Sequence, residues 1–260
     1  MELLKDYLMS RVISFDKIVD ADNYSKMYFK TNEDLDYISD IISFKDKRVL
    51  TVLASSDQLF LARTNNAKVI DTFDKNKLSL YYYYLRIWTI KYGDDIYPFK
   101  IIDNDYTWLS VLLSKVEPND INEKNALIFW KNHLKDETDL SKLFYDDNIE
   151  GRYSVSNDQL KGISNLKINF NNINFFNKIN SNKKYDVIMI SNIIEWAKGD
   201  KNKLLTIKDN LDKLLSENGV VVHTRLLNRP DGIVLEEDGL FDNFECKKYE
   251  KNVYCFNKRK

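Results

Sequence analysis

Four groups of polar residues stand directly after runs of apolar, β-forming residues, where they could contact a ligand. They are Ser55-Ser56-Asp57, Asp74 with Asn76, Asn171-Asn172, and Ser191-Asn192 with Glu195. A polar turn between a strand and a helix presents backbone N–H groups and small side chains to a ligand. An acidic side chain can accept two hydrogen bonds from a ribose diol, which a lysine or an apolar residue cannot do. The four groups therefore predict a site for a ribose-containing ligand.

The acidic residue of this site has two candidate positions. Asp74 falls where the apolar run 68–73 stops, and this favours it over Asp71 within the run. The alternative for Asp74 is a solvated side chain that caps the next helix. Asn172, after the third strand, could present its amide to the edge of an adenine.

Two titratable residues are candidates for acid–base chemistry. Glu195 would be a general base if it is partly buried, and the alternative is an ordinary carboxylate at the start of a helix. His223 ends the fifth strand and could contact a substrate or exchange a proton. The other histidine, His133, is predicted to lie on the surface or pack within a helix. No His, Cys and Asp spacing matches a metal site, so no metal is expected.

Strands that alternate with helices must position these residues. The predicted strands are Arg48–Ala54, Lys68–Phe73, Leu166–Phe170, Tyr185–Ile190 and Val220–Thr224, followed by a hairpin of Asn243–Tyr249 and Asn252–Phe256. A helix is predicted over 202–216, with Asn218-Gly219 as its C-cap. This alternation is typical of an α/β fold whose parallel sheet binds ligands beyond the carboxyl ends of its strands. The hairpin adds an antiparallel edge.

The chain divides into two predicted regions. Residues 1–46 are predicted to form an N-terminal helical region, and residues 47–260 the α/β domain that carries the site. The stretch at about 93–164 contains helical patterns and few strand signals, so we interpret it as a helical insertion that caps a cleft.

Composition argues against several other classes of protein. The 39 basic residues nearly balance the 40 acidic ones, whereas a nucleic-acid or membrane-surface binder normally has a basic excess. No apolar run approaches the ~20 residues that span a bilayer. With two cysteines and no export signal, the chain is expected in a reducing cytoplasm. Cys246 and Cys255 would face each other across the hairpin, most simply as two buried thiols.

Two segments resemble a known family. Residues 48–91, with RVLTVLASSDQ and KVIDTFDKNKLSLYYYYLRIWTIK, are similar to the opening of the betaine-lipid 3-amino-3-carboxypropyltransferase-like proteins. Residues 185–230, with YDVIMISNIIEW and NGVVVHTRLLNRP, resemble the fourth and fifth strands of the same group. The resemblance implies a Rossmann-like methyltransferase fold: a mostly parallel, seven-stranded sheet with an antiparallel C-terminal hairpin, N-terminal helices and a helical insertion.

The resemblance also implies a cofactor, S-adenosylmethionine (SAM), and a role for each polar group. Ser55–Asp57 would line the methionine part of SAM, with Ala54 just before them as a further cofactor-binding residue. Asp74 would bind the ribose hydroxyls with Asn76 beside it. Asn172 would lie near the adenine, and Ser191 and Asn192 would complete the cofactor site. Ser56 departs from the family, which usually has glycine there, and its Cβ narrows the approach of the backbone to a ligand.

The leading functional prediction is a SAM-dependent transferase that moves a methyl or a 3-amino-3-carboxypropyl group to a small-molecule or lipid acceptor. The alternative is a non-catalytic protein that binds SAM or another nucleotide in a degenerate site. A nicotinamide-dependent enzyme is disfavoured because the sequence has no Gly-x-Gly-x-x-Gly. A P-loop and a Gly-x-Ser-x-Gly elbow are also absent from the sequence, which argues against common hydrolases.

Overall fold

The computed structural model of the chain describes most of the sequence. The described residues are 27, 28, 30–92, 106–135, 140–144, 163, 168–197, 200–225 and 241–259. They fall into two compact units. The sheet unit contains the described residues from 30 to 75 and from 168 to 259, and the helical unit contains those from 76 to 144 together with 27, 28 and 163. The predicted end of the N-terminal helical region at residue 46 and the predicted limits of the helical insertion at about residues 93 and 164 remain predictions.

The sheet unit is built on one seven-stranded sheet. Its strands are β1 (Arg48–Val52), β2 (Val69–Asp74), β3 (Asn169–Asn172), β4 (Tyr185–Ser191), β5 (Leu215–Thr224), β6 (Phe244–Lys248) and β7 (Val253–Lys258). The spatial order is β3-β2-β1-β4-β5-β7-β6. Strands β1 to β5 run parallel, and β7 is antiparallel to both β5 and β6. The predicted Rossmann-like α/β fold with an antiparallel C-terminal hairpin is confirmed.

Helices connect and flank these strands. They are α1 (Leu35–Ile41), α2 (Asp57–Thr64), α3 (Lys77–Tyr92), α4 (Thr107–Ser114), α5 (Ile121–Lys135), α6 (Ile193–Trp196) and α7 (Lys201–Leu214). Helices α3, α4 and α5 belong to the helical unit, and the others belong to the sheet unit. None of the helices in the described ranges is long and apolar enough to cross a bilayer.

The sheet has an apolar core on each of its faces, because alternate residues of a strand point to opposite sides. On one face, Val49 and Met189 belong to a cluster with Leu35 of α1 and Leu61 of α2. The other face contributes its own cluster, which includes Leu50, Val52, Ile188, Ile190, Leu204, Ile207 and Leu211. Burying one aliphatic side chain of this kind stabilises a fold by about 1.5–3 kcal/mol. The central strands are therefore almost continuously apolar, which is why they were recognisable in the sequence.

Aromatic residues dominate the core of the helical unit. On α3, the rings of Tyr81 and Tyr82 are buried, and the indole N–H of Trp88 donates to Glu123 Oε1 at 2.7 Å. The indole N–H of Trp130, on α5, donates to the Tyr81 carbonyl at 2.9 Å. The indole N–H groups of Trp88 and Trp130 are thus both hydrogen-bonded, as the polar atom of a buried amphipathic side chain normally is.

The junction between α7 and β5 differs from its prediction. The helix ends at Leu214 rather than at 216, and Gly219 lies inside β5 instead of forming a helix C-cap. The pairing with β4 shifts from Tyr185–Leu215 to Val187–Val220, so extra residues bulge between these pairs. The dipeptide Asn218-Gly219 therefore belongs to an irregular strand. In the sequence alone, an Asn-Gly pair at this position looks the same as the end of a helix.

The cysteines lie on the predicted hairpin but are not directly opposite each other. Cys246 pairs with Phe256, and Cys255 pairs with Lys247, because the register is offset by one residue from the expected one. Cys246 and Cys255 are not in a disulfide, and burial raises the pKa of Cys255 to about 11. This thiol stays protonated at neutral pH and packs as a small apolar group.

Candidate functional site

The order of the strands creates a crevice between β1 and β4. Along the chain, β1 connects to β2 on one side of this pair, whereas β4 connects to β5 on the other. In an open parallel sheet, the connections diverge at such a switch point and leave room for a ligand beyond the carboxyl ends of the strands. The residues after β1 and at the end of β4 stand at this place in the sheet, and their role in binding a ligand stays a prediction.

The backbone at this edge adopts a conformation that suits glycine, although glycine is absent from the positions concerned. Ala54 has φ 39°, Ser56 has φ 74° and Ser191, at the end of β4, has φ 50°. The Ser56 N–H donates to the Leu53 carbonyl at 2.6 Å and closes the turn. Left-handed residues with a Cβ store strain, which accumulates mostly at ligand sites. The left-handed position of Ser56 is therefore one that glycine would occupy at lower cost.

Replacement of Ser56 by glycine is expected to stabilise the protein by roughly 1–2 kcal/mol. The substitution removes the cost of a left-handed Cβ, about 1 kcal/mol, and it also removes a hydroxyl that is buried without a hydrogen-bond partner. Urea denaturation of the wild type and Ser56→Gly measures the change. Ser55→Gly serves as the control, and it should destabilise because the Ser55 hydroxyl donates to Asp57 at 2.7 Å. Lower stability of Ser56→Gly would contradict the argument.

Asp74 is held against the turn that follows β1. Its carboxylate accepts a hydrogen bond from the Ala54 N–H at 3.0 Å, and the side chain is only partly buried. The two residues are 20 positions apart in sequence, so this contact joins the ends of β1 and β2. The structure therefore brings together the acidic residue and the turn that the sequence predicted as one site.

The competing acidic residue, Asp71, has a different environment. It is buried, and its carboxylate accepts from Lys183 at 2.8 Å, from the Tyr185 hydroxyl at 2.6 Å and from Asn169 at 3.0 Å. Burial alone would raise the pKa of Asp71, but these hydrogen bonds and the Lys183 charge outweigh burial and lower the pKa. Asp71 thus joins β2 to the starts of β3 and β4, away from the carboxyl edge.

Asn172 and Asn76 were also predicted to bind the cofactor, and they belong to different units. Asn172 is the last residue of β3 and pairs with Asp74, which places its backbone at the carboxyl edge, but its side chain lies outside the described part. Asn76 belongs to the helical unit, where its side-chain oxygen accepts from the Leu78 N–H at 3.1 Å at the start of α3. Asn76 therefore acts locally as a helix cap.

Two other residues of the first turn point inward. Asp57 is fully buried and accepts from the Thr31 N–H at 2.8 Å as well as from Ser55. Ser55 is also buried. These contacts fix the turn against the segment that precedes α1.

The residues after β4 form a compact polar corner. Asn192 is buried, and its side-chain oxygen accepts from the Trp196 indole at 3.2 Å. The N–H of Glu195 donates to the Asn192 carbonyl at 3.0 Å, and the Glu195 side chain is partly buried on α6. Partial burial is the condition under which a general base was predicted, and its catalytic role stays a prediction.

His223 lies inside the sheet unit. The ring is 1% exposed and packs near the rings of Tyr254 and Phe256, with centroids 6.0 and 6.5 Å away. Its Nδ1 donates to the Ser191 carbonyl at 2.6 Å, since a carbonyl can only accept. Burial lowers the pKa of His223 to about 4, and Arg225 acts in the same direction. The ring is therefore neutral at pH 7 and supports the strained Ser191, while its proposed acid–base role stays a prediction.

The sequence analysis missed Glu33. This residue is 4% exposed, and its carboxylate accepts from the Gln58 amide and, at 3.2 Å, from the Thr31 hydroxyl. Burial raises the pKa of Glu33, although the side chains of Gln58, Thr224, Ser191 and Thr31 lower it in part. An acidic residue just ahead of a helix normally belongs to an exposed cap, so the sequence offered no signal that Glu33 is buried.

The described residues contain no cluster of three or more His, Cys, Asp or Glu side chains that could hold a metal ion. The arrangement at the carboxyl edge instead offers a partly buried carboxylate, a turn of strained backbone and several buried polar side chains. These are groups that bind sugar hydroxyls and charged organic ligands by hydrogen bonds.

No family model and no curated protein matches the sequence. The sequence folds similarly to 38 solved chains, of which three are described. A ribosomal protein L11 methylase from Lactobacillus delbrueckii subsp. bulgaricus has a TM-score of 0.40 and 12% identity over 87% of this chain and 77% of its own. A TehB-like SAM-dependent methyltransferase from Corynebacterium glutamicum has a TM-score of 0.43 and 7% identity over 98% and 100%. A DhpI–SAM–HEP complex has a TM-score of 0.36 and 9% identity over 99% and 81%.

Proposed function

We propose that the chain binds SAM at the carboxyl edge of its sheet and transfers one of its groups to an acceptor. The observation that carries the proposal is the 3.0 Å hydrogen bond from the Ala54 N–H to Asp74. It joins a partly exposed carboxylate to the strained turn after β1, beside the switch point of the sheet. A partly exposed carboxylate held beside the turn after β1 suits a ribose diol attached to a polar chain.

In this proposal, the cofactor lies across the ends of several strands. Asp74 accepts hydrogen bonds from the two ribose hydroxyls, and the turn Ala54–Asp57 contacts the methionine part. Asn172 at the end of β3 is assigned to the adenine.

On the other side of the turn, Ser191 and Asn192 separate the cofactor from the acceptor. Bound SAM supplies an electrophilic carbon next to its sulfonium. The contribution of the chain is to orient the acceptor toward that carbon and to exclude water, since alignment accounts for much of such catalysis. Glu195 is assigned as the base that takes a proton from the acceptor, and His223 as the group that holds the Ser191 backbone through its 2.6 Å hydrogen bond.

The group that is transferred can be a methyl or a 3-amino-3-carboxypropyl group. The resemblance of residues 48–91 and 185–230 favours the aminocarboxypropyl group, and the fold itself is compatible with both. Mass analysis of the product distinguishes them, because methyl transfer leaves S-adenosylhomocysteine and aminocarboxypropyl transfer leaves methylthioadenosine. The acceptor is proposed to be a small molecule or a lipid, in the cytoplasm.

A second candidate is a non-catalytic SAM-binding protein. It is favoured by Ser56, whose Cβ stands in a left-handed position at the closest approach of the backbone to the ligand. Thermal stabilisation by SAM without release of either by-product in cell extracts would favour this candidate over the transferase.

The proposal is tested by calorimetry with S-adenosylhomocysteine on the wild type, Asp74→Ala and Asp71→Asn. Asp74→Ala is expected to lose at least tenfold in affinity, because one hydrogen bond to a charged group contributes about 1.5–3 kcal/mol. Asp71→Asn is the matched control: it alters the other acidic residue of β2 and should bind as the wild type does. Absence of binding to the wild type, or equal affinity of Asp74→Ala, would refute the site.

A further inference from the structure

Glu33 is a buried carboxylate at the edge of the sheet where the cofactor is proposed to bind. Its carboxylate accepts hydrogen bonds from Gln58, the second residue of α2, and from Thr31 in the segment before α1. The side chains of Ser191, at the end of β4, and Thr224, at the end of β5, also lie close enough to lower its pKa. Glu33 therefore stands where the ends of β1, β4 and β5 converge.

The surroundings of Glu33 supply hydrogen bonds but no charge. Gln58 and Thr31 both donate to its Oε2 atom. Within the described ranges, Glu33 forms no ion pair with a lysine, an arginine or a histidine. A buried carboxylate without a cation is costly, and such a group is retained where it has a further partner or a function.

A second observation points to a missing donor at the same place. The Oε1 atom of Gln58 is buried without a hydrogen-bond partner, although the N–H group of the same amide donates to Glu33. Buried side-chain oxygens are nearly always satisfied in folded proteins. The Thr224 hydroxyl beside Glu33 is likewise buried without a partner, so the Gln58 oxygen, the Thr224 hydroxyl and the Glu33 carboxylate form one cluster with unused hydrogen-bonding capacity.

The chemistry of this cluster selects one kind of ligand. A protonated primary amine carries three donors and a positive charge, so it can bond Glu33 and Gln58 at once and compensate the buried charge. A neutral hydroxyl offers a single donor and no charge. An anion would be repelled by the carboxylate.

We propose that Glu33, with Gln58, binds the protonated amine of a ligand at the carboxyl edge of the sheet. This inference rests on the proposed function, since it assigns a residue to the same site. The amine has two possible sources, the α-ammonium of the cofactor or an amine on the acceptor. The chemistry at Glu33 is the same for both.

Calorimetry on the wild type and Glu33→Gln tests the proposal with three probes. They are S-adenosylhomocysteine, its desamino analogue in which hydrogen replaces the ammonium, and methylthioadenosine, which lacks the amino-acid part. If the cofactor supplies the amine, the wild type binds S-adenosylhomocysteine at least tenfold more tightly than the desamino analogue, and Glu33→Gln binds the two equally. Methylthioadenosine should bind both proteins alike.

An acceptor amine gives a different pattern. Glu33→Gln then binds S-adenosylhomocysteine as the wild type does, but n-propylamine raises the melting temperature of the wild-type complex and not that of the variant. Asp34→Asn is the control for loss of a neighbouring charge, because Asp34 is exposed and asparagine also caps a helix. It should match the wild type with every probe.

Two results would overturn the inference. One is that Glu33→Gln has the same affinity for S-adenosylhomocysteine and the same melting-temperature response to n-propylamine as the wild type, while methylthioadenosine still binds. The proposed function then stands without this inference. The other result needs only the wild type, so it does not depend on the folding of any variant. It is equal affinity for S-adenosylhomocysteine and its desamino analogue, together with no change in melting temperature on addition of n-propylamine. Failure of both S-adenosylhomocysteine and methylthioadenosine to bind the wild type would refute the proposed function, and this inference with it.

Discussion

Lowering the pH from 7 to 4 is expected to destabilise the wild type by about 3 kcal/mol more than the variant His223→Gln. The pKa of His223 is about 4 in the folded chain, against about 6.5 in the unfolded chain. Between these two values the unfolded state binds more protons, so stability decreases as the pH falls from 6.5 to 4. A difference of this size in pKa corresponds to roughly 3 kcal/mol, at about 1.36 kcal/mol per unit.

Urea denaturation at several pH values measures this difference. Glu33 acts in the opposite sense, because its raised pKa makes the folded state bind the extra proton above pH 4.5, but it is present in both proteins and cancels in the comparison. The chain has two histidines, so His133→Gln is the matched control and should keep the acid sensitivity of the wild type. Parallel pH profiles for the wild type and His223→Gln would contradict the prediction.

Substitution of Gly219 by valine is expected to destabilise the protein by about 3 kcal/mol. A Cβ at this position would lie 2.7 Å from Leu215 Cδ1, 2.9 Å from Ser216 Oγ and 2.9 Å from the Tyr185 carbonyl oxygen. The first two atoms are on side chains that can move, but the carbonyl belongs to β4 and can move only with the strand. Overpacking of this kind typically costs about 1–3 kcal/mol, and the additional methyl groups of valine place this variant at the upper end.

A graded series tests this prediction by thermal and urea denaturation. Gly219→Ala introduces only the Cβ. It should therefore also destabilise the protein, but by less than Gly219→Val does. Val220→Ala, at the next residue of β5, removes partly buried methyl groups without adding atoms and controls for general sensitivity of the strand. Equal stability of the glycine, alanine and valine forms would show that β5 can shift away from β4.

Much of the fold was predictable because its strands carry a strong local pattern. β1 and β4 are buried on both faces, so each is an almost continuous apolar run that a helix would not require. Asp74 was preferred over Asp71 because it ends such a run, and the structure places it against the turn at Ala54. The start of β5 was missed, because the Asn-Gly pair inside a bulge has the same local sequence as a helix stop.

The candidate site was less predictable than the sheet, because burial of a charged side chain depends on distant residues. Glu33 is buried by Gln58, which is 25 positions away in sequence. Neither residue belongs to a motif, and neither has a periodic pattern that reveals its partner. His223 was recognised as a candidate by its type and by its position at the end of the fifth strand, whereas its hydrogen bond to Ser191 depends on the pairing of β5 with β4.

The position of β7 between β5 and β6 affects how the sheet is completed. β7 follows β6 in the chain, yet it supplies the partner for one whole edge of β5, from Val220 to Thr224. Until β7 has docked, that edge exposes unpaired backbone next to a Val-Val-Val run, a combination that promotes intermolecular strand pairing. Truncation before Val253 should therefore cause aggregation rather than a simple loss of stability, and light scattering during refolding would detect it.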